Sequence, residues 1–153
     1  MAYDPLYVAY LVYFNRDRDY FECHEVLEEL WLATERNPLY KGLLQVAVGL
    51  YHFRDGNIRG AMLMLESAEA RLREYPSVTL GIKLEALLQE VRAYIGKLRD
   101  FTVEPFDYYD LTIPIVDEDL RAAVNFAEAE LKPNLPQRRG PRRTPSVPAV
   151  ERR

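Results

Sequence analysis

Cysteine is almost missing from this 153-residue chain, with Cys23 its sole representative. One thiol cannot build a disulfide framework or a Cys-rich zinc site, and it suits a reducing cytosol. Histidine is nearly as scarce: His24 and His52 are the two in the sequence. Long apolar runs are lacking as well. The longest near the start, Pro5 to Phe14, is too short to span a bilayer. Asp4 and Pro5 stand where a signal peptide would carry Lys or Arg. A soluble, cytoplasmic protein with no membrane partner is therefore expected. No serine sits in a nucleophile elbow, and no glycine-rich phosphate loop occurs. No alternation of apolar and polar residues with period two competes with the helical periods described below.

What the chain does contain is enough apolar material for one domain with a real core, at 48% hydrophobic residues. Its net charge of -4 hides an asymmetry. From Lys132 to Arg153, seven basic residues face one acid, a charge of +6. Residues 1–131 carry 13 basic and 23 acidic residues, a charge of -10. An acidic body is a poor general surface for nucleic acid, so such contacts are expected only as weak ones through the basic tail.

Helix signals follow one another along the chain. Asp4-Pro5 reads as a cap followed by proline at the first helical position, and the stripe Leu6, Tyr10, Tyr13, Phe14 runs to Asn15. Arg16-Asp17-Arg18 reads as a short polar connection. Asp19 with Glu22 resembles a capping box, opening a helix to about Glu35. Asn37-Pro38 breaks the pattern and starts the next helix, apolar almost all round from Leu39 to Phe53 and so expected at the centre. Gly42 and Gly49 within it suggest close approach of a neighbouring backbone. After the Asp55-Gly56-Asn57 turn, helices are expected over Ile58–Tyr75 and Ile82–Leu98. The spacing predicts an all-α, compact antiparallel bundle of about five core helices over residues 1–100. Residues 101–131 read as an extended arm, to Val116, plus a short C-terminal helix, both packing on the bundle. Phe101, Phe106, Tyr108 and Tyr109 in the arm should be at least partly buried, on their own bundle or on a second copy in a homodimer. Residues 132–153, with five prolines among the arginines, read as a disordered tail.

Chemistry concentrates in Tyr20–Trp31. On a 3.6-residue period, Tyr20, Cys23, His24, Leu27, Leu30 and Trp31 share one face, while Glu22, Glu25 and Glu29 fall opposite. Glu28 lies one turn after His24 at the border of the apolar face. Counting outward from the Asn37-Pro38 loop sets Glu28 opposite about Gln45 and His24 opposite about His52. The two histidines are thus expected at one level of the bundle, with Glu28 and Gln45 beside them.

The run through Asn15, Tyr20, Glu22, His24-Glu25, Leu27-Glu28 and Trp31 resembles the signature of the family catalogued as domain of unknown function 309. Gly42-Leu43-Leu44-Gln45, Tyr51-His52, Gly56-Asn57 and Gly60-Ala61 extend the similarity over roughly residues 10–95. The resemblance implies a small all-helical fold. Members have been labelled predicted metal-dependent hydrolases, and no established activity comes with the family.

A metal reading has its own physical basis. His24-Glu25-x-x-Glu28 is like a metalloprotease H-E-x-x-H helix with glutamate for the second histidine. His24, Glu28 and His52 would be the ligands of Zn, Mn or Fe, with Glu25 as general base and Gln45, Tyr20, Trp31 and Asn15 as the supporting polar cluster. The plainer reading ties two helices together through satisfied core histidines. Plainer still, Lys41, Gln45 and His52 form the wet side of their helix. Trp31 alone reads as a core anchor. Two function classes follow: a metal-dependent hydrolase, and a non-catalytic helical binding or scaffold module in which the cluster is structural.

Overall fold

The computed structural model describes residues 3–133. Six helices and one very short hairpin account for its regular structure: α1 (Pro5–Val12), α2 (Tyr20–Ala33), α3 (Pro38–Arg54), α4 (Ile58–Leu72), β1 (Val78–Thr79), β2 (Ile82–Lys83), α5 (Leu84–Arg99) and α6 (Glu118–Glu130). The all-α bundle with an extended arm and a C-terminal helix is the observed architecture.

Local capping chemistry explains where the helices begin. The carboxylate of Asp4 accepts from the Leu6 N–H, and that of Asp19 from the Glu22 N–H. Asn37 and Asn57 accept in the same way from Leu39 and Gly60. Each cap satisfies a donor that the first turn leaves without a helical partner.

Several boundaries differ from the expected ones. Arg16-Asp17-Arg18 is not a plain connection, because α1 runs on into a π-helical turn, Tyr13–Asp17. Arg18, at φ 54°, ends that turn. The wider turn buries Phe14 and Asp17, and Asp17 is held by the Arg16 guanidinium 2.8 Å away. Helix α2 stops at Ala33, since Glu35 and Arg36 take left-handed backbone angles at φ 57° and 60°. Helix α4 stops at Leu72, three residues short of Tyr75. The helix expected from Ile82 starts at Leu84. Ile82 and Lys83 are instead extended, pairing with Val78–Thr79 across a turn at Leu80-Gly81. Two-residue strands are too short to leave a period-two signature in sequence.

Helix α3 lies at the centre, as its apolar run requires, with every residue from Gly42 to Phe53 buried. It packs between α2 and α4. Gly42 and Gly49 are where α4 comes in. A Cβ built on Gly42 would stand 2.6 Å from Leu72 Cδ2, and one on Gly49 2.7 Å from Leu65 Cγ. Both leucines are fully buried, so neither can retreat. The close neighbours are thus mainly leucine side chains, with the Ala61 carbonyl oxygen 3.4 Å from the Gly49 position.

The arm crosses the bundle, and two side chains each clamp both backbone groups of one arm residue. Tyr94 of α5 donates to the Tyr109 carbonyl at 2.8 Å and accepts from the Tyr109 N–H at 3.1 Å. Asn15 does the same for Ile113, with both amide bonds at 2.9 Å. Phe101, Phe106, Tyr108 and Tyr109 are half-buried against this same chain's own core. The Ile113 backbone is buried, so removing the clamp strands its N–H and C=O. Asn15→Ala is therefore expected to cost about 2 kcal/mol in urea unfolding. Unchanged stability together with continued protection of the Ile113 amide in hydrogen exchange would dismiss this role. The tail expected to be disordered lies, from residue 134 onward, outside the described residues.

Candidate functional site

The eight residues that sequence reading grouped together take up distinct places. His24 is 1% exposed on the inner face of α2. Its ring lies between two carboxylates of its own helix: Nδ1 is 3.5 Å from Glu25 Oε2 and Nε2 is 3.5 Å from Glu28 Oε1. Glu25 is 49% exposed and Glu28 28%, so both reach toward solvent from a buried base. This is the i, i+4 meeting that the spacing predicts.

On α3, Gly42, Gln45, Gly49 and His52 form one stripe, and the glycines show that this stripe is turned to α4. Gln45 is 3% exposed, and its Oε1 accepts from Arg71 Nε of α4 at 3.1 Å. His52 is buried, with Nδ1 3.4 Å from the Asn57 amide nitrogen in the α3–α4 turn. Gln45 thus has a partner on α4, and His52 one in the turn that leads to it. Asn15 belongs to the arm clamp rather than to the histidines.

Tyr20 reaches the arm as well. Its hydroxyl shares a hydrogen bond with that of Tyr108, and the Arg54 guanidinium lies 4.5 Å from the Tyr20 ring centroid and 5.4 Å from that of Tyr108. Burial pushes the Tyr20 hydroxyl up to about 12, with the Tyr108 hydroxyl and Arg54 opposing it. Cys23 is fully buried beside the Tyr10 carbonyl, and burial raises its thiol well above the usual range, which leaves it inert as a nucleophile.

Trp31 is half-buried rather than a core anchor, because it sits at the end of α2 where the face meets solvent. Lys41 Nζ is 4.4 Å and Arg36 Cζ 5.0 Å from its ring centroid. Sequence reading passed over Arg36, Arg71 and Arg54, and expected Tyr108 in the arm without its link to Tyr20. Arg71 is 26 residues from Gln45 and Tyr108 is 88 from Tyr20, so no helical period links either pair.

The donor chemistry can be tested against a metal. His24 and Glu28 are adjacent and of the right kinds. Among the described residues, however, no three His, Cys, Asp or Glu side chains come together as a group that could hold a metal ion. As arranged, the residues offer a pair of donors and not the three a catalytic zinc site uses. No helix among the described residues is long and apolar enough to cross a membrane.

Comparison with known proteins places the chain. It is 36% identical over 126 residues to the uncharacterized protein YpuF of Bacillus subtilis (strain 168), covering 79% of this chain and 70% of that one. It is 30% identical over 83 residues to an uncharacterized protein of Aquifex aeolicus (strain VF5), covering 52% of this chain and 24% of that much longer one. No solved structure matches. A family profile matches residues 7–64, the span from α1 into α4, and ends well short of the expected residue 95. With that match and the extent of the likeness to YpuF, the chain belongs to the family described as Domain of unknown function (DUF309).

Proposed function

We propose that this protein is a non-catalytic helical binding module in which the family's His, Glu and Gln residues are structural. One observation carries the reading: the polar side chains of the α2–α3 hairpin are taken up by separate local partners. His24 lies between Glu25 and Glu28 of its own helix, Gln45 accepts from Arg71, and His52 lies against Asn57. Polar groups partnered in this way fix helix registers. A second reading, a hydrolase using Zn, Mn or Fe at His24, Glu28 and His52 with Glu25 as base, has the 3.5 Å His24–Glu28 approach in its favour. It requires His52 to be drawn in as the third ligand.

Metal titration separates the two. On the structural reading, His24→Ala costs about 1–3 kcal/mol through the buried partners it leaves behind, and added zinc or manganese leaves the melting temperature of the wild type unchanged. A melting temperature that climbs with metal concentration, and stops climbing in both His24→Ala and His52→Ala, would replace the structural reading with the metal one. Metal analysis of untagged protein gives an independent check, with a one-to-one content favouring the hydrolase.

A further inference from the structure

Three cations meet where α2 ends and α3 begins. Arg36 and Lys41 both lie over the Trp31 ring, at 5.0 and 4.4 Å from its centroid. Arg71 comes across from α4 and is held by its Nε to Gln45, one helical turn after Lys41. Of the other ten cations in residues 1–131, five are ion-paired among the described residues. Arg16 is paired with Asp17, Arg18 with Asp110, Arg73 and Arg92 with Glu69, and Arg99 with Glu66. None of Arg36, Lys41 and Arg71 has a carboxylate at ion-pair distance among the described residues. Their contacts are an indole ring and a neutral amide, and neither removes charge.

The repulsion is felt at Lys41. Its ammonium is held below the usual lysine range first by burial, then by Arg71 and Arg36, and no carboxylate offsets them. Such a gathering of like charge in a body of -10 is destabilising unless something negative completes it. Gln45 adds a built element. Its side chain is buried, its Oε1 fixes Arg71, and its Nε2 end donates to no other described residue, so it remains a donor beside the three cations.

We infer that Arg36, Lys41 and Arg71, gathered at Trp31 and Gln45, form a binding site for the phosphate-monoester group of a small ligand. The charge count selects the group. A phosphate monoester carries nearly two negative charges and three acceptor oxygens, which suit two guanidinium forks and an ammonium, whereas a single carboxylate offsets only one of the three positive charges. The surrounding acidity selects the size, because a nucleic-acid strand or a polyacidic chain would be repelled beyond the contact itself. The inference rests on the binding-module reading for its purpose, but it stands or falls on phosphate, not on metal.

Trp31 is the one tryptophan in the chain, so its fluorescence reports the site directly. Full-length protein is titrated with inorganic phosphate and with phenyl phosphate, against sodium chloride at matched ionic strength and against acetate. The expected result is a saturable change in Trp31 emission with half-saturation below about 10 mM, and a melting temperature that rises over the same range. Arg71→Gln and Arg36→Gln, at exposed positions, should each weaken binding about tenfold while leaving the fold intact, and Lys41→Gln at least as much. A larger response to phenyl phosphate identifies an aryl ester as the better ligand, and equal responses identify the phosphate group as sufficient. An emission unchanged by phosphate, a response matched by acetate or chloride, or one undiminished in Arg71→Gln and Lys41→Gln would overturn the site. Because no metal is added, a failure here is distinct from a failure of the structural reading of His24.

Discussion

Raising the pH by one unit above about 10 is expected to remove several kcal/mol of folding stability, a large share of the roughly 5–15 kcal/mol of an ordinary domain. The cause is a set of buried tyrosines. Tyr7, Tyr10, Tyr20 and Tyr94 are each no more than 1% exposed, and burial raises all four hydroxyls above the ordinary value of 10.0. The sign follows from linkage. In the unfolded chain these groups release their protons near pH 10, while in the folded chain they keep them longer, Tyr20 until about 12 and the others because burial raises them too. The stability they contribute is therefore complete below pH 10 and is lost as pH climbs through the folded values. Each group contributes a slope of about 1.4 kcal/mol per pH unit in that window. Urea unfolding at a series of pH values from 9 to 11 gives the slope, and phenolate absorbance should rise with unfolding rather than before it. Tyr10→Phe should lower the slope by about a quarter, although its hydroxyl also donates to the Leu43 carbonyl at 2.8 Å. A pH-independent stability, or phenolate appearing in a still-folded protein, would refute the account.

Truncating Tyr94 should be the most damaging single change to the arm, at about 3–5 kcal/mol for Tyr94→Ala. The ring is fully buried and stacks on Tyr109 with centroids 4.5 Å apart, while Phe53 and Phe106 meet it edge-on at 5.7 Å. Phe53 stacks in turn on Phe106 at 4.8 Å. This cluster joins α3, α5 and the arm, so removing its middle member opens a cavity and frees the segment at once. Tyr94→Phe isolates the polar part: it keeps the stack, loses both bonds to the Tyr109 backbone, and should cost about 1–3 kcal/mol. Hydrogen exchange at the Tyr109 amide distinguishes the two contributions. Protection that survives in Tyr94→Phe, with no loss of stability, would mean that stacking alone holds the arm.

What could be read from the sequence was local. Asp4, Asp19 and Asn37 announce their helices because a cap and the N–H it accepts from are two or three residues apart. The apolar circumference of residues 39–53 forces α3 to the centre, since no solvent-facing side exists to leave outside. Gly42 and Gly49 reveal a close approach by their cost to an otherwise strong helix. The His24–Glu28 meeting is one turn of one helix and needs no tertiary information.

Only the tertiary structure decided which neighbour each face of α3 meets. Hydrophobic period says that Gln45 and His52 share a stripe with the two glycines, but a helix buried on all sides has two flanking partners, and the period is silent on which receives the stripe. Packing assigns it to α4, where Leu65 and Leu72 fill the space the glycines leave. That same choice brings Arg71 to Gln45 and so assembles cations from three segments around one tryptophan. Asn15 and Ile113 are 98 residues apart, and no spacing rule joins an amide on a π-helical turn to a strand-like arm. Helix starts are local events written within a few residues, whereas partners across the bundle are fixed by volume and shape, which exist only once the helices are packed.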